Sequence, residues 1–198
     1  GDGELVAILP GSRQGEVAHL GDILANTARH LVAARPGIRF VTPVATPALR
    51  ALIELRLDEA GVAEHFLLLD GDAQTAMTAA DLVLLASGTA ALEAALLCKP
   101  MVAVYRMAKI TAALVKGLRL VKLTHYTLPN LMTSEPLVPE FIQEDARPEA
   151  IAAAVIELMD DPERRSFISD EFAKLKAELA LNADQRAAEA VLGLAQST

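Results

Sequence analysis

A doubly wound α/β fold, a parallel sheet covered by helices on both faces, is what three features of this sequence predict. Strand-sized apolar runs alternate with helix-patterned stretches from the start of the chain to about residue 104. The runs are apolar throughout rather than at every second position, as strands buried on both faces must be. Proline, glycine, aspartate and serine punctuate the junctions between them.

Glu4 to Leu9 (ELVAIL) reads as the first strand. The loop Pro10-Gly11-Ser12-Arg13-Gln14-Gly15 hands it to a helix from about Glu16 to Ala34, which Pro36-Gly37 stops. Ile38 to Val44 is the second strand, and Pro47 to about Ala60 a second helix ended by Gly61. Phe66 to Leu69 is a third strand that leads through Asp70-Gly71-Asp72 into a short helix. Leu82 to Leu85 is a fourth, after which Ser87-Gly88-Thr89 opens a helix to about Leu97, and Met101 to Val104 is a fifth. From Pro148 onward the character changes to three helical stretches, punctuated by Asp161-Pro162 and Leu181-Asn182, with no strand between them. The expected organisation is a Rossmann-like domain over residues 1–147 and a helical C-terminal tail over 148–198 that packs on it, on a partner domain or on another subunit. Only three residues precede the first strand and no linker is visible, so the chain reads as the second half of something larger.

Composition narrows the function. At 53% hydrophobic and 22% charged, the 198 residues can fill a core, which excludes a disordered or low-complexity chain. One cysteine, Cys98, excludes a disulfide framework and points to a reducing compartment; at an apolar helix end it reads as buried filler. The histidines at 19, 30, 65 and 125 have no metal-ligand spacing. A net charge of −8 argues against nucleic acid as a partner. No apolar run is long enough to span a membrane and no signal peptide is visible, so a soluble cytoplasmic protein is expected. The charge is uneven, however. Between Glu93 and Glu135 there is no acidic residue, while Lys99, Arg106, Lys109, Lys116, Arg119 and Lys122 all fall there. Ile110 to Leu123 (ITAALVKGLRLVKL) reads as an apolar helix with cationic punctuation, suited either to a core with snorkelling lysines or to an anionic membrane surface.

Two strand-to-helix loops have the chemistry of anion sites. In Leu9-Pro10-Gly11-Ser12-Arg13, Gly11 permits close backbone approach, Ser12 offers a hydroxyl and Arg13 a fork-shaped cation suited to phosphate. In Ala86-Ser87-Gly88-Thr89, Ser87 is a candidate N-cap and Gly88 bares the first turn, where free N–H groups and the helix dipole favour a diphosphate. Glu93 lies four residues after Thr89 on the same helix face, within reach of a ribose diol. Neither loop is a Walker A or a Gly-x-Gly-x-x-Gly fingerprint, which disfavours ATP hydrolysis and NAD chemistry. Asn130, after a proline at an expected strand end, and Gln143 carry amides able to read a base or a sugar. No nucleophile–base pair or paired-carboxylate set is visible, so no catalytic residue is assigned.

These stretches resemble one family, the lipid-A-disaccharide synthases, inverting glycosyltransferases of the GT-B type. LPGSR (9–13), LLASGTAALE (84–93), KPMVAVYR (99–106), LPNL (128–131), LVPEFIQED (137–145) and NADQRAAEAVLGLAQ (182–196) fall in the family's order and cover nearly the whole chain. The resemblance implies transfer from UDP-2,3-diacylglucosamine to 2,3-diacylglucosamine 1-phosphate at the cytoplasmic face of a Gram-negative inner membrane, without metal or other cofactor. It implies that Ser12 and Arg13 contact the diphosphate or uridine, that Ser87, Gly88 and Thr89 cradle the diphosphate, and that Glu93 holds the ribose. Asn130 and Gln143 would shape the donor site, with Tyr105 and Arg106 beside it. It also implies an N-terminal half, missing here, that brings the acceptor site and the catalytic carboxylate, so this chain alone is expected to bind donor without turnover. A homodimer is left open. The competing expectations are another UDP-sugar enzyme of GT-B type, such as an epimerase or a peptidoglycan glycosyltransferase, and a non-catalytic nucleotide-binding module.

Overall fold

In the computed structural model, residues 4–86, 88–106 and 125–180 are described. They form one parallel sheet of six strands. Five strands are the apolar runs of the sequence, each within one residue of its expected ends: β1 (Leu5–Leu9), β2 (Arg39–Val44), β3 (Phe66–Asp70), β4 (Leu82–Ala86) and β5 (Met101–Tyr105). All five residues of β4 except Ala86, and all of β5 except Tyr105, are buried. That burial on both faces is what removed any alternation from the pattern. A sixth strand, β6 (Glu140–Ile142), was not expected. It has three residues and begins with a carboxylate, so it leaves no apolar run to read.

The helices are α1 (Gln14–Ala34), α2 (Pro47–Ala60), α3 (Ala73–Ala79), α4 (Thr89–Leu96), α5 (Leu128–Met132), α6 (Pro148–Asp160) and α7 (Pro162–Leu179). Helix α1 buries Val17, Leu20, Leu24, Ala28 and Leu31 along one face. Thr46 caps α2 by accepting the Leu49 N–H, and Gly61 closes it at φ 69°, a conformation glycine adopts without strain. Helix α5 is the second unexpected element, and it changes the setting of Asn130: the residue lies inside a helical turn rather than at a strand end. The expected cationic helix over 110–123, the third C-terminal stretch from Asn182, and Ser87 lie outside the described residues.

Strand order is β3-β2-β1-β4-β5-β6. The chain starts at β1, builds outward through β2 and β3, then returns to the other side of β1 for β4. Right-handed crossovers on the two sides of that reversal place their helices on opposite faces. Accordingly α1 packs against α2 and α6, while α4 packs against α5 and α7. Helix α6 also touches β4 and β5 and adjoins α7, so the described part of the C-terminal tail is folded onto the sheet. Arg35, just past α1, pairs with Glu4 before β1 and with Asp160 at the end of α6, fastening the tail to the first strand. Its hydrogen bonds to the Asp160 and then the Glu4 carboxylate raise its pKa, so it stays a cation throughout the accessible pH range.

Cys98 departs from its expected setting. It is only partly buried and has φ 55°. Its N–H bonds to the Ala95 carbonyl at 2.8 Å and the Lys99 N–H to the Ala94 carbonyl at 2.9 Å, the pair of bonds that ends a helix with a left-handed residue. Cys98 stands where glycine is usual.

Candidate functional site

The order of the sheet brings the candidate residues to one edge. Ladder pairs run Leu9 with Leu85, Ala86 with Val104, and Tyr105 with Ile142, so the carboxyl ends of β1, β4, β5 and β6 lie side by side. Ser12 and Arg13 follow β1, Gly88 and Thr89 follow β4, Tyr105 ends β5 with Arg106 next, and Gln143 follows β6. The crevice of a doubly wound sheet opens at this edge, at the β1/β4 reversal.

The β1 loop is shaped around a residue that sequence reasoning passed over. Glu16, the third residue of α1, turns back so that its Oε2 accepts the N–H groups of Ser12 (3.2 Å) and Arg13 (3.4 Å). Its Oε1 accepts from the Arg13 guanidinium at 2.9 Å. Gly11 has φ 104°, and a Cβ there would lie 2.4 Å from Glu16 Oε2. Glycine is therefore needed twice, for the backbone conformation and for the carboxylate. The Arg13 side chain remains 82% exposed. The overlooked signal was a carboxylate at the third helical position, the spacing by which such a residue reaches back to bare N–H groups.

Helix α4 begins differently. Its cap residue is Gly88, with extended backbone and no side-chain hydrogen bond at the cap. By contrast, Thr46, Asp72, Thr127 and Asp161 cap α2, α3, α5 and α7 through their side chains. Among the described residues, a Cβ at Gly88 would meet nothing within 4 Å. Thr89 and Glu93 are exposed, one turn apart on α4. Tyr105 is half-buried and Arg106 exposed.

The α5–β6 corner is a closed polar network. Asn130 is 5% exposed. Its Nδ2 donates to the Val138 carbonyl (2.8 Å) and to Glu140 Oε1 (3.0 Å), and its Oδ1 accepts from the N–H groups of Leu137 and Val138, both at 2.8 Å. An amide offers two donors and two acceptor positions, and all four are spent here. The free amide expected from sequence is thus consumed in holding the turn. Glu140, whose side chain is 9% exposed, is the hub. It also accepts the N–H of Tyr126 at 3.0 Å, and the N–H and hydroxyl of Thr127 at 2.8 and 2.7 Å. A lone acid set between Pro139 and Phe141 was the available sign. Gln143, by contrast, has φ 53°, and its buried Nε2 meets no hydrogen-bond partner among the described residues. Both features carry a cost, and they fall together at the end of β6.

A shallow cavity of about 400 Å³ lies at the amino edge of the sheet, between Asp81, Lys99, Pro100 and Arg165. Its charges serve the backbone: Asp81 accepts the Leu5 N–H, Lys99 donates to the Ala80 carbonyl and Arg165 to that of Leu158. Among the described residues no group of histidine, cysteine, aspartate and glutamate could hold a metal ion.

Residues 1–192 match the family described as lipid-A-disaccharide synthetase. The lipid-A-disaccharide synthase of Alkalilimnicola ehrlichii is 44% identical over 195 residues, 98% of this chain and 50% of that protein. The chain spans about half the length of the curated relatives it matches. Among solved structures, the C-terminal domain of a Francisella tularensis group 1 glycosyl transferase superposes with a TM-score of 0.59 at 15% identity, over 88% of this chain and 85% of that one. A UDP-GlcNAc 2-epimerase from Neisseria meningitidis, solved with UDP-GlcNAc bound, gives 0.54 at 17% identity over 86% of this chain and 40% of that one. At such identities the likeness establishes the fold, that of a GT-B glycosyltransferase domain.

Proposed function

The chain belongs to the lipid-A-disaccharide synthetase family, and from that premise we propose that its carboxyl strand edge holds the nucleotide end of a UDP-sugar lipid donor. The observation that carries this reading is the adjacency of the β1, β4, β5 and β6 ends, which brings residues scattered from 12 to 143 to one edge of the sheet. Arg13 and Ser12 meet the diphosphate or uridine from the β1 loop. The end of α4, with Ser87, Gly88 and Thr89, cradles the diphosphate through backbone N–H groups and the helix dipole. Glu93 takes the ribose hydroxyls, and Tyr105 and Arg106 border the crevice. Gln143 supplies a donor for a ligand oxygen. Asn130 acts through Glu140, by holding the corner in place.

In the whole protein the reaction is glycosyl transfer. A hydroxyl oxygen of 2,3-diacylglucosamine 1-phosphate forms a bond to the anomeric carbon of UDP-2,3-diacylglucosamine, and the bond from that carbon to the diphosphate breaks with its electron pair leaving on UDP. The acceptor's proton passes to a carboxylate base, which we place, with the acceptor site, outside these residues. The chain's own part is to bind the donor and to stabilise charge developing on the diphosphate, where a guanidinium and a helix terminus are most effective. Both substrates are lipids. Helix α5 exposes Leu128, Leu131 and Met132, and in sequence it follows the cationic stretch 110–123, which supports docking at the anionic inner face of the inner membrane.

Calorimetric titration with UDP, with ADP as control and no added metal, tests the site. The wild-type chain is expected to bind UDP selectively, and Arg13→Ala and Glu93→Ala each to weaken it at least severalfold, as lost charge-assisted hydrogen bonds should. Unchanged affinity in both variants overturns the site.

A further inference from the structure

We propose that Glu16 is a built-in occupant of the donor's anion seat: its carboxylate keeps the β1 loop in the shape that receives a diphosphate and competes with that diphosphate for Arg13. This rests on the reading of the β1 loop as part of the donor site. The groups that make the loop attractive to an anion are the N–H of Ser12, the N–H of Arg13 and the Arg13 guanidinium, and all three are directed at one carboxylate. Gly11 leaves the room that carboxylate fills, since any Cβ would collide with Glu16 Oε2. The two backbone contacts, at 3.2 and 3.4 Å, are longer than the contact to the guanidinium. The stronger contact, to the guanidinium at 2.9 Å, is exposed to solvent, where ion pairs are weak and exchange readily. A diphosphate carries more charge than a carboxylate and presents more acceptor oxygens, so it displaces Glu16 rather than sharing the guanidinium with it.

An ordinary helix cap and a competing occupant differ in the sign of one substitution. Glu16→Gln keeps an acceptor oxygen for the loop N–H groups and removes the charge that competes for Arg13. Glu16→Ala removes both.

The test is UDP calorimetry on the 198-residue chain, with thermal unfolding confirming that each variant is folded. Glu16→Gln is expected to bind UDP about two- to fivefold tighter than wild type, the range that an exposed ion pair accounts for. Glu16→Ala is expected to bind more weakly than Glu16→Gln. In an Arg13→Ala background the gain from Glu16→Gln is expected to vanish. Equal or weaker binding by Glu16→Gln overturns the proposal, and so does a gain that persists without Arg13, which marks mere relief of negative charge. Wild-type binding that Arg13→Ala leaves untouched is a different failure: it removes the β1 loop from the donor site altogether.

Discussion

Cys98 and Gln143 hold φ angles of 55° and 53°, a region where a non-glycine residue costs about 1–3 kcal/mol. Their surroundings differ. Cys98 completes a hydrogen-bonded helix ending at the amino edge of the sheet, so its strain has a structural cause and glycine would serve better. Gln143 stands at the carboxyl edge with a buried donor that has no partner among the described residues. Cys98→Gly is therefore expected to stabilise the chain by about 1 kcal/mol in urea unfolding and to leave UDP affinity alone. Gln143→Gly is expected to gain a similar amount of stability while losing UDP affinity severalfold. Gln143→Gly with wild-type affinity would remove that side chain from the donor site. At this scale the sequence was only partly legible. Ser12, Arg13, Gly88, Thr89 and Glu93 announce anion and sugar chemistry through their types and their positions after strands. Glu16 and Glu140 were hidden because their importance lies in which N–H groups they meet, and only the folded turns decide that.

Elements were easiest to read where burial is complete. Strands β1 to β5 are apolar along their length because helices cover both faces, and Pro47 and Gly61 mark α2 at both ends. Elements β6 and α5 escaped because each spans a single short stretch whose stability comes from Glu140 and Asn130 rather than from an apolar run. The Thr127 cap with Pro129 in the first turn was the cue for α5. That helix also bears on membrane docking, since Leu131 is 48% exposed and a cationic stretch precedes it. Vesicles containing an anionic phospholipid are expected to carry the chain upward in a flotation gradient, neutral vesicles much less so, and replacing Lys116, Arg119 and Lys122 by glutamine to abolish the difference. Equal flotation with neutral and anionic vesicles would sink the docking proposal.

For the molecule as a whole, the proposed site depends on the reversal of strand order between β1 and β4. Without it, the β1 loop and the start of α4 would be two unrelated turns. With it, they flank one crevice, and β5 and β6 extend the same edge. The alternation of apolar runs and helices announced a doubly wound sheet, but the order of its strands is a long-range property that no local pattern specifies. The same topology leaves β2 and β3 on the far side, with none of the candidate residues at their ends.

If a single site is assembled from four adjacent strand ends, hydrogen exchange with and without UDP reads it out most directly. Slower exchange on UDP binding is expected in residues 10–16, 88–93, 104–106 and 141–145, and no change at the ends of β2 and β3 or around Asp81 and Lys99. Protection centred on the amino-edge cavity, or confined to one of the four loops, would contradict it.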